Sequence, residues 1–131
     1  MILAVDTSVL IDVENRKESV IAALSKLSAE NPLPAKITFI TYFEFLHGLA
    51  ERHPAKKEKA MAFMEMFDMM QPTKKTAEIL SHLRRKYERK GQSLPLADLM
   101  IASQCIENNC LLVTADRGFE RLEELSKVVI K

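Results

Sequence analysis

The chain has 131 residues, 47% of them hydrophobic and 28% charged, and its 19 Lys and Arg residues against 18 Asp and Glu residues give a formal net charge of +1. This length predicts a single domain, 1–131, that can bury a core without disulfides, and the small net charge excludes a globally basic nucleic-acid binder. Only two cysteines occur, so a disulfide scaffold and a zinc site of four thiolates are excluded. No apolar run reaches the roughly 18 residues that cross a bilayer, and no signal-peptide layout opens the chain, so we expect a cytoplasmic protein with no membrane segment.

Five short segments have the composition of β-strands. Ile2–Val5 and Leu111–Thr114 are apolar without polar alternation, which is typical of strands buried on both faces of a parallel sheet. Ile37–Ile40 is rich in β-branched and aromatic residues and predicts another strand. Val128–Ile130 predicts a last strand at the sheet edge, and a further short strand is predicted around Met69–Gln71.

Helical patterns fill the intervals between these strands. The first helix follows Asp6, Thr7 or Ser8 as its cap, and the other predicted helices are 18–29, one capped by Thr41, Pro54–Met70, Lys74–Lys90, Leu96–Asn108 and Phe119–Leu125. Strands separated by helices predict an α/β fold in which right-handed crossovers join parallel strands. We therefore expect a three-layer α/β/α architecture around a central, mainly parallel sheet of four to five strands.

Four acidic residues occupy informative places in this arrangement. Asp6 follows the first strand, Glu44 lies one turn into the helix after the second, and Asp116 follows the Leu111–Thr114 strand. Ligands of open parallel sheets bind beyond the carboxyl ends of the strands, near the point where strand order reverses. Asp98 stands in an otherwise apolar stretch, where a lone carboxylate needs a partner.

Each acid also has an ordinary structural interpretation. Asp6 fits a helix N-cap, Asp116 a turn residue, and Glu44 an acid that interacts with the helix dipole. If the four converge instead, they repel one another by several kcal/mol unless protons or cations lie among them. Hard oxygen ligands favour Mg²⁺ or Mn²⁺, and such ions support hydrolysis of a phosphodiester.

Four segments of the chain, in order and over nearly its whole length, resemble the motifs of one family: Ile2–Asp12, Thr41–Gly48, Leu96–Ala102 and Leu112–Phe119. Together they resemble a PIN domain, and within that superfamily the compact VapC-type toxins of VapBC toxin–antitoxin pairs. The resemblance implies a Mg²⁺- or Mn²⁺-dependent ribonuclease, a homodimer, and a VapB-type antitoxin whose C-terminal segment covers the active site.

The resemblance also implies roles for particular residues. The metal ion would be held by three acids: Asp6, Asp98 and Asp116. Glu44 would complete the catalytic set by orienting or deprotonating the attacking water. Three hydroxyls are candidates to orient the carboxylates: Thr7, Ser8 and Thr114. Many relatives carry a further acid where this chain has Gly118, so the number of bound ions stays open, as does a catalytically weak or inactive PIN-like module that binds RNA or protein.

Two further surfaces have alternative interpretations. Between Thr73 and Lys90, seven Lys and Arg residues outnumber two Glu residues, which predicts either a solvated helix face or an RNA-binding patch. The residues assigned to that patch are Arg84, Arg85, Lys86, Arg89 and Lys90. The Met- and Phe-rich segment 57–70 fits either the core or an interface with an antitoxin helix or a second protomer.

Overall fold

The computed structural model of the protein describes residues 1–130. It contains the strands β1 Ile2–Val5, β2 Lys36–Thr38, β3 Asp68–Met70, β4 Cys110–Thr114 and β5 Lys127–Val129. The helices are α1 Thr7–Glu14, α2 Glu18–Glu30, α3 Phe39–Leu49, α4 Pro54–Met64, α5 Lys74–Arg89 and α6 Leu96–Glu107, with a 3₁₀ helix at Arg117–Arg121. None of the helices within residues 1–130 combines the length and apolar character needed to cross a bilayer.

The five strands form one sheet in the order β3-β2-β1-β4-β5, and all neighbouring strands are parallel. The chain moves outward from β1 to β3 on one side and then returns to place β4 on the other side of β1. Strand order therefore reverses between β1 and β4, and their carboxyl ends are where a ligand site is expected. The predicted α/β fold with a central parallel sheet is confirmed.

Helices cover both faces of the sheet because alternate strand residues point to opposite sides. Ala4 and Leu112 face a core cluster built with α5 and α6, whereas Leu3, Val5 and Val113 face a second cluster built with the first four helices. Each cluster is closed by buried aliphatic and aromatic side chains. Two hydrophobic layers on one sheet give the predicted three-layer architecture.

The second strand and its following helix differ from the sequence prediction. β2 ends at Thr38 and α3 begins at Phe39, because the Thr38 hydroxyl caps the helix by accepting from the Thr41 N–H at 3.1 Å. The predicted cap, Thr41, is therefore wrong. Buried Gln104 stabilises the earlier start, since its Oε1 accepts from the Phe39 N–H at 2.9 Å and its Nε2 donates to the Met70 carbonyl at 2.9 Å.

Two other helices also have bounds that the sequence did not predict. α4 ends at Met64, and the residues that follow it turn into β3 instead of continuing the helix to Met70. The predicted helix at Phe119–Leu125 is a 3₁₀ helix that begins earlier, because the Asp116 side chain caps it through the Gly118 N–H.

The Met-rich segment lies mostly against the core. Met64 is buried, and Met61 and Met69 are half-buried against the second cluster. Met66 is 76% exposed. The two cysteines are buried free thiols, and burial raises the pKa of both.

Candidate active site

Asp6 stands at the carboxyl end of β1, in the N-cap position of α1, but its side chain makes no capping hydrogen bond. Its Oδ2 instead accepts hydrogen bonds from the Thr114 hydroxyl at 2.7 Å and from the Ser8 hydroxyl at 3.0 Å. Asp6 is only 5% exposed. Burial raises its pKa above the ordinary value, although the hydroxyl bonds act in the opposite direction. Asp6 therefore occupies the N-cap position predicted for it, while its side chain bonds to Thr114 and Ser8.

The parallel register explains why Thr114 meets Asp6. Val5 pairs with Val113, so the residues that follow them, Asp6 and Thr114, lie side by side. Each hydroxyl that donates to Asp6 also accepts from the backbone after β4: Thr114 Oγ1 from the Asp116 N–H and Ser8 Oγ from the Ala115 N–H, both at 3.0 Å. The two hydroxyls thus hold the Asp6 carboxylate in a fixed position relative to the loop after β4. Because they are neutral, they do not compensate its negative charge.

Glu44 reaches the same end of the sheet from the second turn of α3. Its Oε1 accepts a hydrogen bond from the Thr7 hydroxyl at 3.0 Å, which joins α3 to the first residue of α1. Burial raises the pKa of Glu44, and the charges of Asp6 and Asp116 raise it further, while the Thr7 bond lowers it. Glu44 is therefore within electrostatic reach of all three other acids.

Asp98 lies in the first turn of α6 and is half-buried. Its carboxylate has no ion-pair partner among residues 1–130. Burial, followed by the negative charges of Asp116, Asp6 and Glu44, raises its pKa to about 6, and Arg121 alone acts against this increase. A cation bound beside this carboxyl would stabilise its ionised form.

Asp116 is exposed and has the turn role that the sequence allowed, because its Oδ1 accepts from the Gly118 N–H at 2.8 Å. A Cβ atom placed on Gly118 would lie 3.1 Å from Asp116 Oδ1 and 3.6 Å from Asp98 Oδ2. Both carboxylates therefore border the same small space, which glycine leaves open.

The four acids converge on one end of the sheet without forming a closed cage. Across residues 1–130, no three His, Cys, Asp or Glu side chains lie close enough to chelate one ion as placed. Mutual repulsion of like charges is a sufficient cause for this open arrangement. Mg²⁺ usually retains several waters, so an open set of carboxylate ligands still suits it. The hard oxygen donors and the unpaired Asp98 fit a divalent cation.

A sequence model described as PIN domain matches residues 3–125. The chain belongs to the PIN-domain family. This PIN domain is 32% identical over 124 residues to Ribonuclease VapC1 of Methanocaldococcus jannaschii, in a match that covers 93% of this chain and 82% of that protein.

Solved structures share the fold of this PIN domain. One is VapBC2 from Rickettsia felis bound to a DNA fragment from their promoter, with a TM-score of 0.85, 24% identity and 100% of both chains covered. Another is VapBC-1 from nontypeable Haemophilus influenzae, with a TM-score of 0.81, 22% identity and 98% of both chains covered. At these identities the likeness concerns the fold.

The basic face of α5 is only partly available in this PIN domain. Lys86 donates to Glu124 at 2.6 Å and lies 5.6 Å from the centre of the Tyr87 ring, so its charge is already paired. RNA binding by Lys86 stays a prediction, and in this structure its ammonium group is ion-paired with Glu124. Arg84 has only a long contact of 4.0 Å with Glu88. RNA binding by the other four residues of this patch also stays a prediction: Arg84, Arg85, Arg89 and Lys90.

Sequence reasoning did not single out Arg121, whose charge acts on Asp98, or its neighbour Tyr87. Arg121 lies at the end of the 3₁₀ helix, and the Tyr87 hydroxyl on α5 lies 3.1 Å from the Arg121 carbonyl and donates to Glu124 at 2.7 Å. The available signal was a pair of arginines, Arg117 and Arg121, one and five residues after Asp116. Tyr87 gave no signal, because its position predicted only an apolar inner face of α5.

Proposed function

We propose that this single-domain chain is a cytoplasmic Mg²⁺- or Mn²⁺-dependent ribonuclease that hydrolyses RNA phosphodiester bonds and acts as the toxin of a toxin–antitoxin pair. The observation that carries the proposal is the convergence of four carboxylates at the strand-order reversal, with Asp98 unpaired and its pKa raised to about 6. A 32% identical relative named a ribonuclease supports the same activity.

In this proposal Asp6, Asp98 and Asp116 hold the metal ion. A bound divalent ion supplies a Lewis acid at the phosphate and a water of lowered pKa. Glu44 orients the attacking water and accepts its proton, for which the Thr7 hydroxyl holds the carboxylate in place. Thr114 and Ser8 both donate to Oδ2 of Asp6 and keep its carboxylate in one orientation.

Cleavage of labelled RNA by the purified chain tests the proposal. The wild-type chain should cut in Mg²⁺ or Mn²⁺, stop in EDTA and leave 5′-phosphate ends. Asp98→Asn should lose cleavage while it keeps its fold by circular dichroism. Asp68→Asn is the matched control, since Asp68 is exposed at the amino end of edge strand β3. Equal rates for the two variants, or cleavage that persists in EDTA, would refute the assignment.

Gly118 favours a second candidate, a PIN-like module that binds RNA or protein without cutting. The glycine supplies no carboxylate beside Asp98 and Asp116, where an acid would add a ligand. RNA binding by a wild-type chain that does not cleave in any divalent cation would favour this alternative.

The proposal includes two protein partners, a VapB-type antitoxin and a second copy of the chain. Several structures with this fold are VapBC or toxin–antitoxin complexes, and this supports the first partner. Light scattering of the purified chain tests the homodimer. Co-purification with the product of a neighbouring short reading frame tests the antitoxin.

A further inference from the structure

A cavity of about 270 Å³, here called the α5–α6 cavity, lies where the chain turns from α5 into α6. Part of its lining is apolar, because Tyr87 and Leu99 are buried and Leu94 is half-buried. The exposed part of the lining is polar and includes Arg84, Glu88, Gln92 and Ser93. Pockets that bury drug-sized ligands measure about 300–1,000 Å³, so this cavity suits a single planar group and not a larger molecule.

Gly91 shapes the turn that closes one side of the cavity. Its φ of 73° lies in the left-handed region, which glycine adopts at little cost. The Gly91 N–H donates to the Glu88 carbonyl at 3.0 Å, and the Gln92 N–H donates to the Tyr87 carbonyl at 2.9 Å. These two bonds are the Schellman pattern of a helix end. They hold the start of the connecting segment against the last turn of α5, so the cavity is built into the fold.

The cavity adjoins the acids through two elements. Leu99, which lines it, follows Asp98 directly in α6, and the Cα atoms of successive residues are about 3.8 Å apart. The Tyr87 hydroxyl lies 3.1 Å from the Arg121 carbonyl, in the 3₁₀ helix that Asp116 caps. The base of a nucleotide next to a phosphate at the acids can therefore reach the cavity.

Arg84 and Glu88 bring opposite hydrogen-bonding groups to the cavity. They are four residues apart on α5, so their side chains lie on the same face of the helix. Arg84 Nε lies 4.0 Å from Glu88 Oε1, which is longer than a hydrogen bond. The guanidinium donors and the carboxylate acceptors therefore stay available to a ligand.

Guanine is the base that matches this pair of groups. Its Watson–Crick edge presents two adjacent donors, N1–H and the 2-amino group, to a carboxylate that only accepts, and its O6 and N7 accept from a guanidinium. The same edge of the other bases places an acceptor beside each donor and so repels a carboxylate. We propose that the α5–α6 cavity binds one unpaired guanine of the RNA, with Glu88 accepting from N1–H and the 2-amino group and Arg84 donating to O6 and N7.

This inference rests on the proposed ribonuclease function and adds base preference to it, and RNA binding tests it separately from cleavage. The probes are short fluorescein-labelled oligouridines that carry one central guanosine, inosine or adenosine, titrated by anisotropy against the Asp98→Asn chain in Mg²⁺. Inosine lacks only the 2-amino group of guanosine. The guanosine probe should therefore bind about 10-fold more tightly than the inosine probe. The adenosine probe should bind more weakly still, because its Watson–Crick edge places N1, an acceptor, against the carboxylate.

Glu88→Gln in this background should remove most of the preference for guanosine over inosine, because the Gln amide has only one acceptor oxygen. Glu78→Gln is the matched control. Glu78 lies on the same helix but outside the cavity lining, and its side chain is 70% exposed against 65% for Glu88. The control should keep the full preference. Both positions are at the surface, so neither substitution disturbs the core.

The role of Arg84 has its own pattern of results. Arg84→Gln should weaken binding of the guanosine and inosine probes about 10-fold and that of the adenosine probe less, because only the first two bases present both O6 and N7. Arg85 belongs to the predicted RNA-binding patch but does not line the cavity. Arg85→Gln should therefore change the affinity for all three probes by the same factor.

Three results would overturn the guanine proposal: equal affinities for the three probes, an unchanged guanosine preference in Glu88→Gln, or no RNA binding by any of the chains. Equal weakening of all three probes by Arg84→Gln overturns the role of Arg84, since a phosphate contact would give that result.

Mapping of the cut positions produced by the otherwise wild-type chain separates the two proposals. If the chain cuts beside guanosines and Glu88→Gln still cuts but without that preference, both proposals hold. If it cuts with no dependence on neighbouring bases, only the guanine proposal fails. If it does not cut in Mg²⁺ or Mn²⁺, the ribonuclease proposal fails while the probe titrations still decide what the cavity binds.

Discussion

Replacing Asp98 by Asn should stabilise the metal-free chain in a pH-dependent way. The pKa of Asp98 rises from 3.8 to about 6 in the folded protein. Taken in full, that increase corresponds to about 3 kcal/mol against the ionised form. Because Asp98 is only half-buried, water screens part of the effect, and about 1 kcal/mol is a reasonable remainder. For a chain of this size, 1 kcal/mol changes Tm by about 3 to 4 °C.

The direction with pH follows from linkage. The folded state binds the Asp98 proton more tightly than the unfolded state, so stability is lost as pH rises from about 4 to about 6 and the loss is complete above that range. Asp98→Asn carries no charge at any pH. The Tm advantage of the variant should therefore be near zero at pH 4 and reach its full value by pH 7.

Thermal unfolding in EDTA at several pH values measures this difference. Asp68→Asn is the control, and its difference from wild type should stay flat because Asp68 is exposed at the far end of an edge strand. Saturating Mg²⁺ or Mn²⁺ should reverse the order, since a ligand at about 100 times its Kd adds about 2.7 kcal/mol to the form that binds it. If Asp98→Asn is less stable than wild type at pH 8 in EDTA, the inference that the ionised Asp98 carboxylate destabilises the metal-free fold is refuted.

Three other substitutions test the groups around the acids. Thr7→Val removes the bond that lowers the pKa of Glu44, so the acid limb of the cleavage pH profile should move to higher pH, and an unmoved limb would contradict the role of Glu44 as a base. Ser8→Ala breaks two hydrogen bonds and should lower the free energy of unfolding in urea by about 1 to 2 kcal/mol, whereas a change of a few tenths would count against the network. Gly118→Ala brings a Cβ to 3.1 Å from Asp116 Oδ1 and should weaken Mn²⁺ binding about 10-fold by calorimetry, and unchanged affinity would mean that this space is not used.

Much of the architecture could be predicted because its signals are local. Buried parallel strands are continuous apolar runs, and both β1 and β4 appear as such runs in the sequence. Once these strands are known, the reversal of strand order identifies Asp6 and Asp116 as acids at one edge. Strand register then accounts for the contact between Thr114 and Asp6.

The features that sequence reasoning missed depend on partners far along the chain. The start of α3 at Phe39 needs Gln104, and the pairing of Lys86 needs Glu124. No local pattern reports either contact, because propensity describes a segment while these hydrogen bonds join separate elements. The same holds for Tyr87, whose hydroxyl partners lie more than thirty residues away.

The link between Asp6 and Thr114 has a consequence during synthesis. The two residues are 108 positions apart, and β1 lies between β2 and β4 in the finished sheet. A nascent chain that has not yet extruded β4 from the ribosome lacks the neighbour that orients its first acid. A chain that cuts RNA would in this way stay harmless to the messenger and the translating ribosome until most of its own translation is complete.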